Sequence, residues 1–145
     1  LARVKAGLQA LDLGIPADYP EYYVQLSHAR ICGLLRQLRE RGLEFDLERG
    51  LARPVDTAND ATLELVTSIS RWPELLATAG QLLEPHLVAQ YLLELAQAFQ
   101  SYYNDHQFLV DDRELRDGRL ALALATRQVL ANGLDVLGVK APEAM

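Results

Sequence analysis

Few residues in this chain are of types and spacings that could do chemistry, and the histidines and the single cysteine point away from catalysis. His28 and Cys32 lie four residues apart, which would place them on one face of a helix, but no third ligand follows at a spacing typical of a metal site. Cys32 stands beside Ile31 in an apolar stretch, where a thiol is usually inert. We therefore expect both residues to be structural and the chain to hold no metal.

Phosphate-binding and nucleophile motifs are also missing from the sequence. It contains neither GxGxxG nor GxxxxGK[ST], and no serine stands in a glycine-flanked turn. The acidic stretch "VDDRELRD" is typical of a helix start, where carboxylates face the positive end of the helix dipole. The chain alone is therefore predicted to be non-catalytic and to bind no cofactor.

Tyrosine and arginine indicate a different chemistry, the binding of unpaired bases. Tyr-Tyr pairs stand at residues 22–23 and 102–103, and neighbours on a helix point about 100° apart, so one of each pair can face outward. Tyr23, Leu26 and Arg30 are spaced i, i+3 and i+7, which forms one stripe on a helix. An exposed tyrosine beside an arginine can stack on a base while the guanidinium contacts a phosphate or a base edge. The same spacing fits tyrosines of the core and its rim, so both interpretations stay open.

Helices must position these residues, because helical periodicity dominates the sequence and no segment shows strand alternation. Residues 43–60 are rich in turn formers and are predicted to be a connector. The fold class is therefore predicted to be all-α, a single helical bundle of about five to six helices, with residues 1–20 as a lead-in and residues 21–145 as the bundle. The predicted helices are a short one over residues 8–15, one opening near Asp18 and Pro20 and ending at Gly42, two short ones meeting at Trp72 and Pro73, one from Glu84 to about Tyr103, and one after "VDDRELRDG".

Bulk composition limits the classes of function. The 145 residues are 50% hydrophobic and carry a net charge of −6, yet residues 23–41 hold four arginines against one acid. An acidic protein with such a basic strip can still contact RNA. A single cysteine favours a reducing compartment, and no signal segment or membrane-length apolar run occurs, so we expect a cytoplasmic protein without membrane contact. Because the chain begins with Leu1, we expect it to be a fragment.

Three segments resemble the C-terminal, DALR-type anticodon-binding domain of arginyl-tRNA synthetases, in the order found in that family. They are "YYVQLSHARICGLLR", "EPHLVAQYLLELAQAFQSYYN" and "RLALALATRQVLANGLDVLGVKAPEAM". The last is the most specific, because RQVL-x-NG-L-x-x-LGV-x-APE-x-M is hard to reach by chance. Leu26 stands where the family usually has a second tyrosine, and Ser27 where it has alanine.

The resemblance implies a domain that binds the anticodon stem-loop of arginine tRNA and reads the central cytosine of the anticodon. Its parent would be a class I arginine–tRNA ligase, which uses ATP to join arginine to its tRNA in a catalytic domain that this chain lacks. The implied partners are arginine tRNA, through its anticodon loop, and that missing catalytic domain, with no DNA and no membrane. The residues expected to contact RNA are Tyr23, Gln25, Leu26, Arg30, Tyr103, Asn104 and Met145.

An alternative is a stand-alone helical interaction module that descends from such a domain and no longer binds tRNA. Leu26 and the unfamiliar residues 1–18 favour this alternative. A nucleotide-binding catalytic domain encoded upstream in the same gene would decide against it.

Overall fold

Six α-helices form the part of the chain that the computed structural model describes, residues 20–145. No strand occurs within this range, which confirms the predicted all-α bundle. The predicted helix over residues 8–15, the lead-in before residue 20 and the predicted helix start near Asp18 lie outside the described residues. The helices are α1 (Pro20–Glu40), α2 (Leu47–Ala52), α3 (Asp60–Ser70), α4 (Trp72–Leu82), α5 (His86–Asp105) and α6 (Arg113–Val136).

The core forms around α5, which packs against α1, α3, α4 and α6. The sequence spacing of Val88, Tyr91, Leu95, Ala98 and Tyr102 predicts one apolar face of α5, and all five residues are buried against the neighbouring helices. Tyr91 stacks on Trp72 with ring centroids 5.7 Å apart, and its hydroxyl donates to the Ser68 carbonyl at 2.6 Å. This contact joins α5 to the junction of α3 and α4, which breaks at Arg71 as the sequence predicted to within two residues.

The stretch predicted as a plain connector contains a helix, so that part of the prediction was wrong. The carboxylate of Asp46 caps α2 by accepting from the Arg49 N–H at 3.1 Å. Gly50 of α2 lies directly against α6, and the buried Asp117 carboxylate of α6 accepts from the Asp46 N–H at 3.0 Å. Arg116 donates to the Glu44 carbonyl at 2.8 Å. Contacts with α6, rather than local propensity, therefore stabilise this six-residue helix.

Two buried tyrosines predict a loss of stability at alkaline pH. Burial raises the pKa of Tyr91 and of Tyr102 from 10.0 to about 12. The unfolded phenol ionises near pH 10 and the folded one near pH 12, so this stability is fully present below pH 10 and is lost as the pH rises to 12. Each tyrosine accounts for about 2–3 kcal/mol over that window.

We expect urea unfolding at pH 9 and pH 11.5 to show this fall, and Tyr102→Phe to reduce it. The half-exposed Tyr22, replaced by phenylalanine, is the matched control. An equal fall in wild type and Tyr102→Phe would contradict the assignment.

Candidate functional site

An open pocket of about 260 Å³ lies between the middle of α1, the end of α5 and residues 144–145. Four of the residues predicted to contact RNA meet here although they are far apart in the sequence. Leu26 and Arg30 come from α1, Tyr103 from α5, and Met145 from the segment after α6. The remaining lining residues are Ala29, Gly33, Leu34, Arg36, Gln37 and Ala144.

Arg30 and Tyr103 form the centre of the pocket. The guanidinium carbon of Arg30 lies 5.1 Å from the centroid of the Tyr103 ring, a cation–π contact. Arg30 also donates to the side-chain oxygen of Gln100, whose amide donates to the Asn104 side chain at 2.9 Å. These contacts hold the guanidinium in one orientation before any ligand is present.

The end of α5 turns its two tyrosines in different directions, as the helical angle predicted. Tyr102 is buried and stacks on His106 with centroids 4.2 Å apart. Tyr103 is half-buried, supported from behind by Phe99 and Phe108 at centroid distances of 6.1 and 5.7 Å. The Tyr103 ring therefore stands on a rigid aromatic base and borders the pocket.

Three of the predicted site residues do not line this pocket. Tyr23 packs against the core. Burial raises the pKa of Tyr23, and the nearby Arg30 opposes that shift. Its neighbour Tyr22 is the more exposed residue of the pair. Gln25 donates its amide to the Lys140 carbonyl at 2.9 Å. Asn104 is exposed at the end of α5 and reaches the pocket only through Gln100.

The chain after α6 is placed by a sharp turn and by side chains of α1. Gly138 adopts φ 72°, which ends α6 as expected for glycine at this position, and the Val139 N–H donates to the Leu134 carbonyl at 2.9 Å. Nδ1 of His28 lies 2.9 Å from the Pro142 carbonyl, and Arg36 donates to the Glu143 carbonyl at 2.9 Å.

Sequence reasoning missed the role of His28 and Arg36 as partners of this segment. The signal that could have found them is spacing, since positions 25, 28 and 36 share one face of a helix.

Charge complements the shape of the pocket. Arg36, Arg39 and Arg41 are exposed along the second half of α1 and its end, beside the half-buried Arg30. An aromatic ring, a guanidinium and apolar walls within a basic surface are typical of sites that bind unpaired bases.

The predicted structural role of Cys32 agrees with its burial. Its Sγ lies 3.9 Å from both His28 Nδ1 and Arg127 Nη1.

Residues 20–145 contain neither a cluster of metal-ligand side chains nor a membrane-length helix. No group of three or more histidine, cysteine or acidic side chains in this range is arranged to hold a metal ion. None of the helices described here is long and apolar enough to cross a membrane.

Comparison with known proteins gives one family for most of the chain. The family described as "DALR anticodon binding domain" matches residues 24–145. Arginine–tRNA ligase of Thioalkalivibrio sulfidiphilus is 48% identical over 129 residues, and that of Halorhodospira halophila is 52% identical over 132 residues. Each match covers 89% of this chain and 22% of the relative, so the chain spans about a fifth of the length of these proteins.

Solved structures share the fold. Arginyl-tRNA synthetase of Thermus thermophilus aligns with a TM-score of 0.68 and 33% identity, over 85% of this chain and 21% of that one. A putative arginyl-tRNA synthetase from Campylobacter jejuni aligns with a TM-score of 0.72 over 87% of this chain and 26% of that one; at 19% identity, this likeness concerns the fold alone.

Proposed function

The chain belongs to the DALR anticodon binding domain family, and from this premise we propose that it binds the anticodon stem-loop of arginine tRNA as the C-terminal domain of an arginine–tRNA ligase. The observation that carries the proposal is the convergence of Arg30, Tyr103 and Met145 in one pocket. The names of the relatives support the choice of arginine tRNA. Attachment of arginine with ATP belongs, in this proposal, to the catalytic domain of the parent protein, and a cytoplasmic location follows from the same role.

The pocket would hold an unpaired base by stacking and by directed hydrogen bonds. The guanidinium plane of Arg30, which lies over the ring of Tyr103, offers a surface for stacking, and its N–H groups can donate to a base edge or a phosphate. Leu26 and Met145 supply apolar contacts on the other sides. Stacking is worth about 1–3 kcal/mol per base, so a few such contacts are enough to discriminate among loops. We assign the central cytosine of the anticodon to this pocket.

Leu26 bears on the alternative of an interaction module that no longer binds tRNA. The side chain that replaces the family's second tyrosine lines the pocket rather than closing it. An apolar residue at that place still contacts the face of a base, although it lacks an aromatic ring. The position of Leu26 therefore supports RNA binding over the alternative.

A titration of the 145-residue chain with two RNA hairpins tests the proposed function. One hairpin carries the anticodon stem-loop of arginine tRNA, and the other differs only in its central anticodon base. We expect the change to weaken binding about tenfold, which corresponds to about 1.4 kcal/mol. Fluorescence anisotropy of an end-labelled hairpin measures both affinities.

Salt and a stem variant provide the controls for that titration. Raising the salt concentration from 50 to 200 mM should weaken both complexes, because arginines on α1 displace counterions from phosphates. Exchanging one base pair within the stem should leave the affinity unchanged. Equal affinities for the two central bases would overturn the claim of specificity.

A further inference from the structure

Residues 140–145, here called the tail, are bound to α1 through backbone groups. Gln25, His28 and Arg36 make side-chain contacts of 2.9 Å with the carbonyls of residues 140, 142 and 143, respectively. Because all three partners are backbone oxygens, these contacts do not require particular side chains at residues 140, 142 and 143.

The contact of His28 fixes the position of its proton. A carbonyl oxygen only accepts hydrogen bonds, so the ring must carry a hydrogen on Nδ1 and donate it to the Pro142 carbonyl. His28 is 6% exposed and lies in the middle of a long helix, so this donor is held in place by the core. Breaking this hydrogen bond would leave the buried Nδ1–H without a water molecule to replace the carbonyl. The bond therefore holds the Pro142 carbonyl more firmly than an exposed donor would.

The tail ends in the pocket wall. Ala144 and Met145 both line the pocket, and the Met145 side chain is 55% exposed there. Its position is therefore not set by burial of its own side chain and must come from the residues before it. An ordered tail spares the ligand the entropy cost of ordering it on binding.

We propose that His28 is a positioning residue which, together with Gln25 and Arg36, holds the tail on α1 before RNA binds, so that Met145 forms a preformed wall of the pocket. The placement of the tail stands on the contacts of this chain alone. Its consequence for RNA rests on the proposed function, and the two are measured separately.

The placement of the tail on α1 is measured without RNA, through the NMR signal of the Met145 methyl group. The chain contains a single methionine, so labelling methionine with carbon-13 gives one methyl resonance once any initiator residue has been cleaved off. We expect the wild-type resonance to be shifted from its random-coil position by the ring of Tyr103. His28→Leu should return it to that position and narrow it, and His28→Asn should restore the shift because its amide nitrogen sits near the place of Nδ1.

A second pair of variants covers the case in which replacing the buried histidine unfolds the chain. Gln25→Ala with Arg36→Ala removes two of the three contacts from residues outside the core and should also move the methyl resonance toward random coil. Gln90→Ala with Arg39→Ala removes the same residue types from exposed positions and should leave it in place. An unchanged methyl resonance in the first double variant would overturn the placement.

Hairpin affinity then tests the consequence for RNA. We expect His28→Leu to bind the arginine anticodon hairpin about fivefold more weakly than wild type, and His28→Asn to recover most of that loss. If a variant moved the Met145 methyl resonance but bound the hairpin with unchanged affinity, the proposed role of the tail in RNA binding would be overturned. If the wild type bound neither hairpin, the proposed function would fail, whereas the methyl resonance would still decide the placement.

Discussion

Replacing Arg30 by alanine is expected to weaken binding of the arginine anticodon hairpin by about 10- to 100-fold, which corresponds to about 1.4–2.7 kcal/mol. The guanidinium is the pocket's planar donor, and it covers the Tyr103 ring at 5.1 Å. Its loss removes the hydrogen bonds offered to the base or phosphate and also releases Gln100. Anisotropy titration measures the affinity, and circular dichroism at the same protein concentration verifies that helix content is retained.

Two variants separate geometry from charge in the Arg30 experiment. Arg30→Lys keeps the positive charge but loses the planar, multi-donor group, so it should recover only a small part of the affinity. Arg39→Ala removes one charge from an exposed position on the same helix, outside the pocket, and should cost far less than Arg30→Ala. If Arg30→Ala and Arg39→Ala weakened binding equally, only the net charge of α1 would matter and the pocket would have no directed role.

Gly50→Ala is expected to lower the free energy of unfolding by about 3 kcal/mol. A Cβ at this position would lie 2.2 Å from the Asp117 carbonyl oxygen and 2.8 Å from the Ala121 Cβ. A backbone carbonyl within a helix cannot rotate away, so α2 would have to move off α6 and weaken the bond between the Asp46 N–H and the Asp117 carboxylate. Urea unfolding followed by circular dichroism gives the change.

Gly80→Ala is the matched control for that substitution. Gly80 is an exposed residue within α4, and no atom would lie within 4 Å of an added Cβ. Alanine there should raise stability by about 0.5–1 kcal/mol, because it loses less conformational entropy in a helix than glycine does. Equal stabilities of the two variants would show that α2 does not contact α6 as closely as described.

The contrast between long and short helices explains which parts of the fold were predictable. In α5 the apolar positions from Val88 to Tyr102 repeat at helical spacing over about four turns, and each of those predicted is buried. α2 has only six residues, too few for a periodic pattern, and it exists because Asp46, Gly50 and Asp117 meet in the folded chain. A local pattern cannot reveal a helix whose stability comes from a partner 71 residues away.

The residues of the candidate site also include some that the sequence predicted and some that it did not. The stripe of Tyr23, Leu26 and Arg30 follows from spacing, but the pocket borders α1 only from Leu26 onward, so it holds Leu26 and Arg30 and leaves Tyr23 beyond its edge. The meeting of Arg30 with Tyr103 and Met145 was implied by the family resemblance and not by any spacing. Spacing places His28 on one helix face with Gln25 and Arg36, but it does not identify the backbone carbonyl that His28 contacts, because carbonyls leave no mark in a sequence.

The bond between Gln25 and the Lys140 carbonyl joins residues 115 positions apart, which sets an order of events during translation. At 5–20 residues per second, roughly 6–23 s separate the synthesis of these two residues. The hydrogen bonds within α1 are local, so α1 can form its helix soon after it leaves the ribosome. The tail can contact α1 only after residues 140–145 have been made. A nascent chain therefore carries Arg30 long before it carries a finished pocket, and a truncated product that lacks the tail would fold its helices without completing the surface proposed to read RNA.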